Sequence, residues 1–252
     1  MQRKQLMTTA RVRAALRWSA AVIGLVAGSY AAYVGVAWSR YGHTRRARDP
    51  EDQDELLDRF MPDYEVRGSH QAQVSAPAAI TLAAARDMDL LGMPVVRAIV
   101  RGRELVLGST PDDQPRPRGL LREMQALGWG VLAEVSDREI VMGAVTQPWK
   151  ADVVFRALPP NEFSTFDEPG YVKIVWTLRA DRLGAADSLF RTETRAVATD
   201  PKARAKFRWY WSFFSPGMAL IRWVSLAPLK REAQRRAEQV HEAGTSTCRR
   251  DW

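Results

Sequence analysis

The chain has almost no cysteine. Cys248 is the single one in 252 residues, so neither a disulfide framework nor a thiolate metal site can form within one chain. Histidine is nearly as scarce. His43, His70 and His241 lie too far apart for metal-ligand spacing, and there is no H-E-x-x-H pattern. No phosphate-binding glycine loop and no G-x-S-x-G nucleophile elbow is present, and Gly128–Trp129–Gly130 reads as a turn before a strand. No cysteine sits in a core segment to act as a nucleophile. No metal and no other cofactor is expected.

A basic excess is also missing from most of the chain. Residues 1–50 hold nine Lys/Arg and one acid, Asp49, which accounts for the whole net charge of +8; the remainder holds 28 basic and 28 acidic residues. A nucleic-acid-binding domain needs its positive charge on the folded part, so no nucleic-acid partner is expected.

What is present begins with a long uncharged run, Trp18 to Ser39 (WSAAVIGLVAGSYAAYVGVAWS). At about 1.5 Å per residue it extends to about 33 Å as a helix, enough for a hydrocarbon core of about 30 Å. Trp18, Trp38 and Tyr41 stand at its ends, where aromatic rings favour the headgroup level. A cleaved signal peptide would have a shorter apolar core and a better small-residue site than Gly35–Val36–Ala37. The expectation is a single-pass anchor in a cell membrane, with the lipid bilayer as a partner. Five basic residues precede the run and four follow it closely, too even for the positive-inside rule to set an orientation. Gly24, Gly28 and Ala32 repeat at four-residue spacing, which suits a transmembrane homodimer, although the same spacing arises from the ordinary abundance of Gly and Ala in such helices.

The expected organisation is a basic segment 1–17, a transmembrane helix 18–39, a charged linker 40–58, a folded domain 59–243 and a disordered tail 244–252. Ser109 to Arg118 reads as a mobile Pro-rich loop. Within the domain, a strand is predicted over Tyr64–Val74. Helices follow at about Pro77–Met88, with Ser75 as cap, then Met93–Leu105 and Gly119–Leu127. Strands at Gly130–Glu134 and Arg138–Gln147 flank a short hairpin turn. In Tyr171–Asp181, Val172, Ile174, Trp176 and Leu178 alternate with Lys173, Thr177 and Arg179, which predicts one buried and one wetter face. Ser188–Thr199 is its partner. Asp200–Pro201 then caps a long helix, whose Phe207, Tyr210, Trp211 and Phe214 share one face. Ser215–Pro216–Gly217 is expected to kink or break it. Arg222, Pro216 and Pro228 argue against reading Trp209–Leu229 as a second membrane span.

The wording of four stretches carries a resemblance: DREIVMGAVTQPW (Asp137–Trp149), EPGYVKIVWTLRAD (Glu168–Asp181), FRTETRAVATDPKARAKFRWYW (Phe190–Trp211) and SPGMALIR (Ser215–Arg222). Together with the element order they resemble the START-like (SRPBCC, polyketide cyclase) superfamily, and within it an actinobacterial membrane-anchored group. The resemblance covers roughly Tyr64–Ala237. It implies an α+β helix-grip fold: a curved antiparallel sheet around a long C-terminal helix, with a cavity for a hydrophobic small molecule or lipid between them. The superfamily has no universal catalytic motif, so no functional residue carries over.

Reasonable cavity walls are Trp149, Trp176, Phe190, Trp211 and Phe214, with Thr192 and Thr194 as orienting hydroxyls, although aromatics of this kind belong as readily to plain core. Glu193 reads as a salt-bridge partner of Lys173 or Arg179 on the wet face rather than as a catalytic acid. His70 reads as a surface strand position, with reach into the cavity as the alternative. Three functions fit: a membrane-tethered binding module for a hydrophobic ligand, a cyclase or aromatase-type enzyme, and a ligand-free interaction scaffold. A cavity, and the groups that point into it, discriminates among them.

Overall fold

In a computed structural model, the chain is described over residues 2–43, 45–46, 54–110 and 117–248. Residues 44 and 47–53 of the predicted linker, the centre of the predicted Pro-rich loop and the last residues of the predicted tail lie outside the described residues, as do the side chains of the basic segment.

In chain order the elements are α1 (Gln2–Arg40), β1 (Arg45–Arg46), α2 (Glu55–Asp58), β2 (Asp63–Tyr64), β3 (Val66–Val74), α3 (Ala78–Asp87), α4 (Pro94–Leu107) and α5 (Leu120–Ala126). Then follow β4 (Gly130–Val135), β5 (Glu139–Thr146), β6 (Phe155–Arg156), α6 (Pro160–Thr165), β7 (Val172–Arg182), β8 (Ser188–Ala198) and α7 (Pro201–Cys248). An antiparallel sheet runs β3-β8-β7-β5-β4, with β6 paired to the end of β5.

The strand pairings explain which residues meet. Val66, Gly68, His70 and Ala72 of β3 stand opposite Ala196, Thr194, Thr192 and Phe190 of β8. Those in turn face Ile174, Trp176, Leu178 and Ala180 of β7. Because side chains alternate across a strand, this set lies on one face of the sheet, the face that α3 and α7 cover. The hairpin between β4 and β5 turns at Asp137, whose φ of 58° is the one positive value among described non-glycine residues. An aspartate tolerates that region better than most side chains.

Helix α7 starts as its sequence dictates. The Asp200 carboxylate accepts hydrogen bonds from the backbone N–H of Lys202 (2.7 Å) and Ala203 (3.0 Å), two of the donors that a helix start leaves unpaired. Helix α3 departs from expectation: Pro77, not Ser75, holds the cap position, with no side-chain cap bond.

Two larger expectations are corrected. The break at Ser215–Pro216–Gly217 does not occur: α7 is continuous through Pro216 and Pro228 and runs beyond Ala243 to Cys248. An interior proline costs about 3 kcal/mol. Buried side chains on both sides of Pro216 grip the sheet and α3, namely Phe207, Tyr210 and Trp211 before it and Leu229 and Ala233 after it. At about 1.5–3 kcal/mol for each large one, their burial outweighs the local defect. Gly217 also has a packing role, since a Cβ there would lie 2.9 Å from Ile99 of α4.

The second correction concerns the expected wet face of β7. Val175 and Thr177 are buried, because the segment around α2 folds back over that side. Leu57, Phe60, Met61 and Tyr64 join Val141, Val145, Phe163 and Val175 in a second core there. Both faces of the sheet are therefore covered.

Among the described residues one helix, the Trp18–Arg40 part of α1, is long and apolar enough to cross a membrane. Its Gly24, Gly28 and Ala32 are exposed. It packs against α7 near its end: the Tyr33 and Ser215 hydroxyls are 2.9 Å apart, the Tyr30 hydroxyl donates to the Phe213 carbonyl, and the Arg208 guanidinium lies 4.6 Å from the Trp38 ring centre.

Candidate functional site

The inward faces of β7 and β8 and the underside of α7 do not close completely on each other. Between them lies a pocket of about 240 Å³. The sheet supplies Ile174, Trp176, Leu178, Phe190, Thr192 and Thr194, and α7 supplies Trp211, Ile221, Arg222 and Leu229. Met88, Leu90, Leu120 and Met124, in and around α3 and α5, close one side. Trp129 forms a corner, 5.0 Å from the Phe155 ring and edge-on to Trp176 at 6.2 Å. An apolar lining with few polar groups is the general anatomy of a small-molecule site.

The chain has a helix-grip fold. The decisive observation is the antiparallel sheet with α7 laid along one face and the pocket enclosed between them.

No protein-family model and no curated protein matches this chain. Solved structures overlap it loosely. The Zhui aromatase/cyclase from Streptomyces sp. R1128 is 16% identical with a TM-score of 0.23, over 68% of this chain and 94% of that one. A norcoclaurine synthase mutant of Thalictrum is 10% identical with a TM-score of 0.32, over 71% and 96%. A START superfamily protein from Mycobacterium smegmatis is 13% identical with a TM-score of 0.26, over 69% and 98%. Overlap at this level transfers no chemistry to this helix-grip chain.

Of the seven residues singled out in the sequence, the fold brings five to the pocket: Trp176, Phe190, Thr192, Thr194 and Trp211. Trp149 and Phe214 do not line it. Trp149 packs at the edge of the neighbouring core beneath the Lys206 ammonium at 5.8 Å, and Phe214 stacks on Tyr210 at 4.8 Å.

Glu193 points away from the pocket, and its expected partners are corrected. It accepts from Arg67 (2.8 Å) and Arg195 (2.7 Å) rather than from Lys173 or Arg179. Arg195 is fully buried, also donates to Asp58 and to the Met61 carbonyl, and lies over the Tyr64 ring. Beside this group, Glu139 accepts from Thr177 at 3.0 Å. Burial, with the Asp54 carboxylate close by, pushes its carboxyl up to about 7. Glu134 sits at the surface, paired with Arg86.

His70 is corrected in the other direction. It stands on the helix-facing side of β3, opposite Thr192, with Nδ1 buried and unpartnered. Burial, and then the nearby Arg222 charge, lower its pKa, which favours neutral imidazole at pH 7.

Sequence reasoning missed Arg222 as a site residue and used it only against a membrane span. The signal was available. Arg222 lies eleven residues after Trp211, which is three helical turns and the same face. A lone cation on a face that grips a sheet points inward.

Proposed function

We propose that this helix-grip chain is a membrane-tethered binding module that holds a hydrophobic small molecule or lipid between its sheet and α7. The apolar pocket carries this reading: its walls are almost wholly hydrocarbon and aromatic, and no catalytic motif of fixed spacing occurs in the chain. The tether is supported by the Trp18–Arg40 helix. It is supported further by exposed Trp209, Phe213, Leu220 and Trp223 on α7, next to where Tyr30 and Tyr33 contact that helix. Indole and aromatic side chains favour the membrane interface. Holding a pocket at the surface where its ligand dissolves raises the local concentration without new contacts.

The test is mass spectrometry of an organic extract of the purified full chain, followed by uptake of octan-1-ol by the extracted protein. A bound apolar compound, or saturable uptake, is expected. An empty protein that takes up nothing would overturn the reading.

A second reading, a cyclase or aromatase-type enzyme, is favoured by His70, a neutral imidazole beside Arg222 at a β3 position next to the pocket residue Thr192 and suited to general-base work. For that reading, turnover of an aromatic polyketide precursor must occur and must vanish in His70→Asn while binding persists.

A further inference from the structure

Among the described residues, Arg222 is the one charged side chain in the lining of the apolar pocket. Its Nη2 is buried and has no hydrogen-bond partner. The more deeply buried Arg195 also leaves its Nη2 unpartnered, but its charge is paired with Asp58 and Glu193, as that of Arg179 is with Asp54 and Asp181. For Arg222 the surroundings offer the Tyr41 phenol and no carboxylate, so desolvation dominates and lowers its pKa. A guanidinium still keeps its proton at any working pH. Keeping such a charge half-buried against hydrocarbon with no ionic partner is unfavourable, and its N–H groups can only donate.

The backbone beneath Arg222 is shaped to admit it. A Cβ at Gly68 would lie 2.6 Å from Arg222 Nη1, so the guanidinium rests on the one β3 position that has no side chain. Directly across the strand pair from Gly68 is Thr194, and His70, the next inward residue of β3, is across from Thr192. Opposed residues on one face stand about 4.5–5.5 Å apart. The register thus sets Thr192 and Thr194 on β8 beside Gly68 and His70 on β3, and of this group Arg222, Thr192 and Thr194 line the pocket.

We infer that the pocket takes a single-chain anionic amphiphile whose acid group, carboxylate or phosphate, is held by Arg222 with help from Thr192 and Thr194. Its chain lies along Trp176, Leu178 and Phe190. The volume of about 240 Å³ is below the usual range for ligand sites, roughly 300–1,000 Å³, which suits one chain better than a two-chain lipid. This rests on the binding reading above and names its ligand class.

The experiment titrates the full chain, in nonionic detergent, with octanoate, octyl phosphate and octan-1-ol. Binding is followed by the tryptophan fluorescence of the pocket. At least one anion is expected to bind about tenfold or more tighter than the alcohol, and the stronger of the two identifies the headgroup. Arg222→Met should bring anion affinity down to that of the alcohol. Gly68→Ala, whose new Cβ displaces the guanidinium, should reduce the preference even if the first variant fails to fold. Equal binding of anions and alcohol by the unaltered chain would overturn the inference while leaving the binding reading intact. Absence of binding by all three would remove both.

Discussion

The two faces of the sheet treat positive charge in opposite ways. On the side covered by α2, Arg195 is sealed from solvent but reaches Asp58, Glu193 and the Met61 carbonyl, and Arg179 reaches Asp54 and Asp181. On the side covered by α7, Arg222 has no acid in reach and sits against hydrocarbon. Arg195 is out of water altogether, whereas Arg222 is half-buried with its Nη2 shielded. Only the first side pairs the charge with acids of the chain, and because Asp54 and Asp58 belong to the predicted linker 40–58, the pairing pins the end of that linker onto the sheet. The lesson is that burial of a charge does not mark a site; burial without a protein partner does.

The sharpest way to break the comparison is to remove the matched cation. Arg195→Met leaves Asp58 and Glu193 facing each other across a covered face. Loss of one partner of a buried ion pair costs about 3–5 kcal/mol. Chemical denaturation of the full chain should show a loss of that order, with the preference for octanoate over octanol unchanged in the folded fraction. If Arg195→Met and Arg222→Met cost the same stability, the distinction between the faces fails.

A proton replaces a cation nearby. Glu139, raised from about 4.5 to about 7 by burial and by Asp54, has a folded-state pKa above its unfolded one. Its contribution to stability is therefore complete below about pH 4.5 and is lost as pH rises through about 7. Glu139→Gln should leave the melting temperature unchanged at pH 4. At pH 8 it should raise stability by about 2–3 kcal/mol, since Gln can still accept from Thr177. A variant that is equally stable to the parent at pH 8 would place the titration elsewhere.

How far the sequence reached follows from the same two faces. The longer strands and helices of the domain were legible because period-two and helical spacing survive in the residues, as did the Asp200 cap, whereas the short α2, β6 and α6 fall in stretches read as linker or connection. Phe190, Thr192 and Thr194 were placed inward correctly because alternation along a strand needs no tertiary knowledge. The covering of the other face was not legible. Nothing in Val175 or Thr177 says that residues around Leu57 and Met61 return to bury them. Pro216 was misread for a related reason, since local chemistry predicts a break and only distant packing repairs it. Arg222 was visible, but its meaning depends on Gly68 and Thr194, residues far off in the chain that the strand register brings beneath it.

On the pocket side, Thr194→Val removes one hydroxyl without changing shape. If Thr194 helps hold the acid group, octanoate affinity should fall by roughly 1 kcal/mol, a factor of about five. Octanol binding should not change. Equal losses for both probes in a fluorescence titration would make Thr194 part of the wall rather than of the anion site.

The smallest effect is expected where charge is matched but wet. Arg86 and Glu134 meet at 2.8 Å between α3 and β4, with 38% and 42% of their side chains exposed. Water already solvates both groups, and two flexible side chains lose freedom to meet, so such pairs contribute about 0.2–1 kcal/mol. A double-mutant cycle with Arg86→Ala and Glu134→Ala should give a coupling within that range that declines as salt is raised. A coupling near that expected for Arg195 would mean that exposure, rather than the presence of a partner, is the wrong variable for ranking the charges of this fold.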